Sequence, residues 1–162
     1  DLETVDNLKS FGYKNVEFFM DTAYFAWNWK NNQPKSPISK AKYIVINVNK
    51  NGEHFLDKIA QDIENYVQKW YYIYYVPVSK GKNLEYNDIK YYDILKKKFK
   101  MEILDREYDF ASFVKVIQGA EIVISTRLHL FLMASFMRVK TKVYPYQKKI
   151  LKMQKVLKEL SL

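Results

Sequence analysis

Cysteine is absent from this chain, so neither a disulfide framework nor a thiolate metal site can form. Glycine and proline are scarce, four of each in 162 residues, which argues against collagen-like, disordered and loop-rich all-β chains. No apolar run approaches the roughly 20 residues that a membrane-spanning helix needs. No signal-peptide pattern opens the sequence, and a start at Asp1 rather than Met suits a piece of a longer protein. Histidine occurs only twice, at His54 and His129. The missing cysteine fits a reducing compartment, so a cytoplasmic location is expected.

What is present is apolar mass and positive charge. Hydrophobic residues make up 48% of the chain, enough for a substantial core in one compact domain, with or without an appendage. The net charge of +9 could attract nucleic acid, anionic lipid or phosphorylated substrates. The lysines are dispersed along helix faces, which equally describes an ordinary solvated surface.

Residues 2–11 carry Leu2, Val5, Leu8 and Phe11 at helical spacing, and Gly12 is a natural stop. Val16 to Met20 reads as a strand ending at Asp21. The polar segment 30–40, with two prolines, is the best linker candidate. It would separate residues 1–29 from a domain over 41–162.

A regular alternation follows. Strands are expected at Tyr43 to Val48, Tyr71 to Val78, Met101 to Leu104, Glu121 to Ser125 and Val139 to Tyr144. Between them, helical periodicity runs from Phe55 to Trp70, from Ile89 to Phe99, from Phe110 to Ile117 and from Leu128 to Met137. Asn87 or Asp88 can cap the second of these, Asp109 the third, and Gly119 ends the third. A last helix carries Ile150, Met153, Leu157 and Leu160. This βα alternation predicts an α/β fold, a Rossmann-like parallel sheet with helices on both faces. Ligands in such sheets bind beyond the carboxyl ends of the strands.

One such end reads Ser125-Thr126-Arg127-Leu128-His129 and runs straight into a helix. Ser125 or Thr126 can serve as N-cap, with Arg127 and His129 in or near the first turn. A cation there opposes the helix dipole by roughly 0.3–1 kcal/mol. A bound anion, held by backbone N–H groups and the arginine fork, would compensate. Alternatively, Arg127 extends to solvent and His129 bonds a neighbouring loop.

Other positions are open to two readings. His54 lies in the polar turn 49–54 after the first strand, facing a cleft or merely solvent. Asn47 and Asn49 can bond a ligand or shape that turn. Asp105, Glu107 and Asp109 precede a helix with no histidine at ligand spacing, so no metal site is expected. Lys96, Lys97 and Lys98 suit the negative end of a helix. The paired tyrosines at 71–72 and 74–75 suit core packing better than base stacking. The last helix is basic and amphipathic, which suits ordinary packing or a membrane surface.

The segment from Gly119 to Ile150 resembles the signature stretch of polysaccharide pyruvyl transferases. An apolar strand leads into Arg127-Leu128-His129, then an Ala-containing helix, another strand and the Tyr-x-x-Lys of Tyr146 to Lys149. The strands at 43–49 and 71–78, with Pro77 and the following Asp88, resemble those that open the family's C-terminal domain. Residues 8–26, with Gly12, Asp21 and Phe25, resemble the end of its N-terminal domain, which implies that 1–29 is a remnant of that domain. The resemblance implies one half of a GT-B-like architecture, two such domains facing a cleft, with most of the N-terminal domain missing from this chain. It implies transfer of pyruvate from phosphoenolpyruvate to hydroxyls of a polysaccharide or lipid-linked sugar, with no cofactor beyond that donor substrate.

In that reading Arg127 and His129 are the catalytic candidates and engage the donor's phosphate or carboxylate. Ser125, Thr126, Lys149 and Asn47 would join Arg127 in binding substrate. The partners are phosphoenolpyruvate, a sugar acceptor and the missing domain, with no nucleic acid. One departure is the segment 78–86, rich in Lys and Asn and without histidine. Two alternatives remain. One is a nucleotide-sugar-dependent glycosyltransferase of similar shape, disfavoured by the lack of a carboxylate after the fourth or fifth strand. The other is a non-catalytic module for anions or glycans.

Overall fold

The computed structural model describes residues 7–12, 14, 42–80, 87–104 and 110–159. The expected strand at 16–20, the linker at 30–40, the acidic residues 105–109 and Leu160 lie outside the described residues. Residues 7–10 are helical, and Gly12 ends them with φ 91, a left-handed conformation natural for glycine.

Five strands form one parallel sheet: β1 (Tyr43–Asn47), β2 (Tyr72–Tyr75), β3 (Glu102–Ile103), β4 (Val123–Ser125) and β5 (Thr141–Val143). Their order is β3-β2-β1-β4-β5. The helices are α1 (Leu56–Val67), α2 (Ile89–Leu95), α3 (Phe110–Gln118), α4 (Leu128–Phe136) and α5 (Lys148–Glu159). The alternation read from residue 42 onward is therefore the observed order, and the fold is Rossmann-like α/β. The chain runs outward from β1 to β3, then returns to place β4 on the other side of β1. That reversal makes the gap between the carboxyl ends of β1 and β4 the expected ligand crevice.

β1 is buried along its whole length because both sheet faces are covered. Its side chains alternate between two cores. Tyr43 and Val45 pack with Val114, Ile117, Leu130 and Ala134. Ile44 and Ile46 pack with Ile59, Ile63, Tyr91 and Leu95 on the opposite face. A third cluster joins Phe131, Leu132 and Phe136 of α4 to Ile150 and Leu157 of α5. Thus α4 is apolar all round because it is wedged between the sheet and α5. Lys142 and Tyr144 both donate to Asp62, which ties the β5 region to α1.

Several boundaries differ from expectation, for local reasons. β2 stops at Tyr75 because the chain then bends, so that the amides of Val78 and Ser79 donate to Asp88. The polar turn 49–54 is largely a 3-10 helix, Lys50–Phe55, capped by the Asn49 side chain. α1 ends at Val67, and α2 ends at Leu95, leaving Phe99 buried in the turn beyond. Trp70 (φ 63) and Arg138 (φ 58) adopt left-handed conformations just after α1 and α4.

Candidate functional site

Asn47 and Ser125, the last residues of β1 and β4, are paired in register. The segments that leave them therefore diverge from the crevice between these two strands. After β4 the backbone of Arg127 is extended (φ −93, ψ 128), and α4 starts at the next residue. Arg127 is thus the N-cap, where Ser125 or Thr126 was expected. The reason lies in their hydroxyls. Ser125 Oγ accepts the Arg127 amide at 2.9 Å, and Thr126 Oγ1 accepts the Asn49 amide at 2.8 Å. The Arg127 side chain makes no capping bond to the first turn.

It turns instead to Asp88, on the far side of β1. Arg127 Nε donates to Asp88 Oδ2 at 2.9 Å, and Nη2 donates to Oδ1 at 2.7 Å, a two-pronged ion pair. The Asp88 side chain is fully buried, while that of Arg127 keeps 26% exposure. Burial alone would lower the arginine's pKa. The hydrogen bond and charge of Asp88 outweigh that, and the net direction is upward, so Arg127 is a permanent cation.

Asp88 occupies the N-cap position of α2 but caps nothing with its side chain. Asn87 does that work, its Oδ1 accepting the Ile89 amide at 2.9 Å. Asp88 Oδ2 also accepts from Asn47 Nδ2 at 3.0 Å and from the amides of Val78 and Ser79 at 3.0 and 3.1 Å. Asn47 Nδ2 further reaches the Val76 carbonyl at 2.8 Å, which fixes the orientation of its amide. Its Oδ1 is buried and has no hydrogen-bond partner among the described residues. Tyr75 supports the same cluster from below, with its hydroxyl 2.8 Å from the carbonyl oxygens of both Val48 and Asp88.

A second network lies beside the first. Asn49 Oδ1 accepts from the Gly52 amide and from Thr126 Oγ1, each at 3.0 Å. Asn49 Nδ2 donates to the Tyr146 hydroxyl at 3.2 Å. One asparagine therefore ties the loop after β1 to the turns after β4 and β5.

The expected residues can now be placed. Asn47, Ser125, Thr126 and Arg127 converge at the carboxyl edge. His129 is exposed in the first turn of α4, two residues beyond Arg127. His54 is exposed in the 3-10 helix after β1, against the Phe55 ring. Both histidines thus follow the carboxyl ends of adjacent strands. Lys149 is exposed in the first turn of α5 and is not among the groups bonded to Arg127 or Asp88. The member of its motif that joins the site network is Tyr146. Asp88 and Tyr146 were not read as site residues. No local signal marked Asp88, because only the strand order brings it to Arg127.

Among the described residues, no group of three His, Asp or Glu side chains is gathered as a metal site would need. No described helix is long and apolar enough to cross a membrane. The sequence model of the polysaccharide pyruvyl transferase family matches residues 1–147, so this chain belongs to that family, a family of transferases. Arg127, His129 and Tyr146 fall inside the match, and Lys149 falls two residues beyond it. No curated protein and no solved structure matches the chain.

Proposed function

We propose that this family member binds phosphoenolpyruvate at the carboxyl edge of β1 and β4, and passes its pyruvyl group to a hydroxyl of a polysaccharide or lipid-linked sugar. The chain would supply the donor-binding half of a two-domain, GT-B-like enzyme, working in the cytoplasm or at the inner membrane face. The observation that carries this reading is the arginine fork held at the start of α4. Asp88 takes one edge of the guanidinium, Nε and Nη2. The other edge, Nη1 with the second Nη2 hydrogen, has the planar spacing that suits a carboxylate or phosphate. The uncapped first turn of α4 adds backbone N–H groups and the positive end of a helix dipole.

The chemistry needs a proton delivered to the methylene carbon, which leaves positive charge at the central carbon. A sugar hydroxyl then attacks that carbon and loses its proton, and the carbon–oxygen bond to phosphate breaks. A second hydroxyl can close a cyclic ketal. Histidine is suited to hold and deliver the proton near neutral pH, and His129 stands nearest in sequence to the fork. Lys149 adds charge around the leaving phosphate. A nucleotide-sugar donor fits less well, because the carboxylate found at this edge is buried and engaged with Arg127 rather than open to a ribose.

Calorimetric titration with phosphoenolpyruvate tests the reading. Arg127→Ala should weaken binding about 10- to 100-fold, as expected for a charged hydrogen bond. Arg127→Lys should not restore it, because the planar fork is lost. Unchanged affinity in Arg127→Ala would move the donor site elsewhere.

A further inference from the structure

We propose that Asp88 is a positioning and selectivity residue of the anion site: it fixes the Arg127 fork and cancels much of its charge, so that anions are selected by shape rather than by charge. This rests on the preceding reading only in taking Arg127 as the anion-binding group.

The geometry carries the argument. The Asp88 carboxylate is fully buried and is held by three donors besides arginine: Asn47 Nδ2 and the amides of Val78 and Ser79. It cannot rotate without breaking these bonds. Its two oxygens therefore present a fixed template to Nε and Nη2 at 2.9 and 2.7 Å. A guanidinium is planar, so fixing one edge fixes the direction of the other. An arginine on an unbraced stem would sample many rotamers, and binding would have to order it.

The second consequence is electrostatic. A lone arginine in a half-buried crevice attracts any compact anion. With a carboxylate bonded to it, the pair is close to neutral at a distance, while the Nη1 edge is not taken up by Asp88. What remains is directional hydrogen bonding. That matters for the proposed reaction, because its donor carries a carboxylate and a phosphate on one small frame, and its product is free phosphate. A site that gripped phosphate by charge alone would be inhibited by its own product.

Asp88→Asn separates these ideas. Its amide oxygen can still accept from the Val78 and Ser79 amides, but its NH2 group would meet Arg127 Nη2 donor to donor. The fork tilts and regains its full charge. With inorganic phosphate as the probe, titrated into the whole chain, Asp88→Asn should bind about tenfold tighter than the wild type. That corresponds to a change of about one unit charge at partly screened distances. The phosphate affinity of the variant should also fall steeply with salt, whereas that of the wild type should fall weakly. Phosphoenolpyruvate should be preferred over phosphate by a smaller ratio in the variant. In an Arg127→Ala background the gain from Asp88→Asn should be much smaller, because no fork is left to bind the anion.

A merely structural aspartate would lower the melting temperature and leave the phosphate affinity and its salt slope unmoved. That result overturns the proposal, as does a full effect of Asp88→Asn without Arg127. If Asp88→Asn does not fold, the wild type alone decides: phosphate binding as tight and as salt-sensitive as that of an exposed cation cluster refutes charge cancellation. If phosphoenolpyruvate does not bind the wild type but phosphate behaves as described, the donor assignment fails and the role of Asp88 stands.

Discussion

Gly52 lies so close beneath Thr126 that a Cβ on the glycine would stand 2.3 Å from the threonine Cγ2 and 2.5 Å from its Cβ. The 3-10 helix after β1 and the turn after β4 are therefore packed backbone to side chain. Thr126 cannot yield freely, because its hydroxyl both accepts the Asn49 amide and donates to Asn49 Oδ1. Gly52→Ala should push the two carboxyl-edge segments apart. The expected cost is about 1–3 kcal/mol, typical of overpacking, seen as a melting temperature lower by roughly 2–10 °C for a domain of this size. Phosphoenolpyruvate affinity should fall with it, because Arg127 follows Thr126 directly. A variant as stable as the wild type would mean the contact relaxes at little cost.

The left-handed Trp70 offers the opposite sign. Its φ is 63 and the residue is 89% exposed, so it carries backbone strain with little packing in return. Glycine accepts this conformation without the clash that costs other residues about 1–2 kcal/mol, although it adds chain entropy to the unfolded state. Trp70→Gly should raise stability by about 0.5–1 kcal/mol, measured by urea denaturation. A loss of stability would show that the indole makes a contact worth more than the strain.

Alkaline pH should expose the buried phenols. Burial, with Glu102 nearby, pushes Tyr74 up to about 12. Burial also pushes Tyr75 upward, and it outweighs the opposing hydrogen bond to Val48. Folding thus favours the protonated phenol in both. Their contribution to stability is whole below the unfolded value of about 10 and is lost as pH rises through 10 to 12 for Tyr74 and higher still for Tyr75. Phenolate absorbance and far-ultraviolet circular dichroism, followed together, should show the last tyrosines ionising only with unfolding. In Tyr74→Phe the alkaline transition should lie at higher pH. Ionisation of every tyrosine near pH 10 in a folded chain would contradict this account.

These residues also show what the sequence made legible. The strand and helix order was readable because β1 and β4 are apolar runs bounded by polar turns, while α1 keeps its apolar residues on one face. The Arg127 turn was readable because a cation beside a helix start violates a local rule. Its actual compensation was not. Asp88 sits 39 residues earlier, and only the β2-β1-β4 order brings it to Arg127. Asp88 also looked fully explained as a helix cap, a role that Asn87 takes in its place. The same applies to Asn49, whose partners Thr126 and Tyr146 lie 77 and 97 residues away. Local chemistry is written in spacing, whereas contacts across a sheet are written in topology, which periodicity does not specify.

The remaining choice is between two histidines, and the fold makes it sharper than the sequence did. His54 follows β1 and His129 follows β4, and the two strands are neighbours, so both imidazoles belong to the same edge. Their settings differ. His54 lies against Phe55, whose ring packs on Tyr144, in the 3-10 helix Lys50–Phe55. His129 stands on the first turn of α4, the helix that begins directly after Arg127. In the proposed reaction a proton donor must reach the substrate at the fork, which favours the residue sharing that turn. With the complementary half of the cleft supplied, His129→Asn should lower kcat about 10²- to 10⁴-fold and change donor affinity far less. His54→Asn should leave kcat within a few-fold. Single-turnover rates measured beside equilibrium binding separate the two effects. Normal turnover in His129→Asn, with a collapse in His54→Asn, would transfer the acid to the loop after β1.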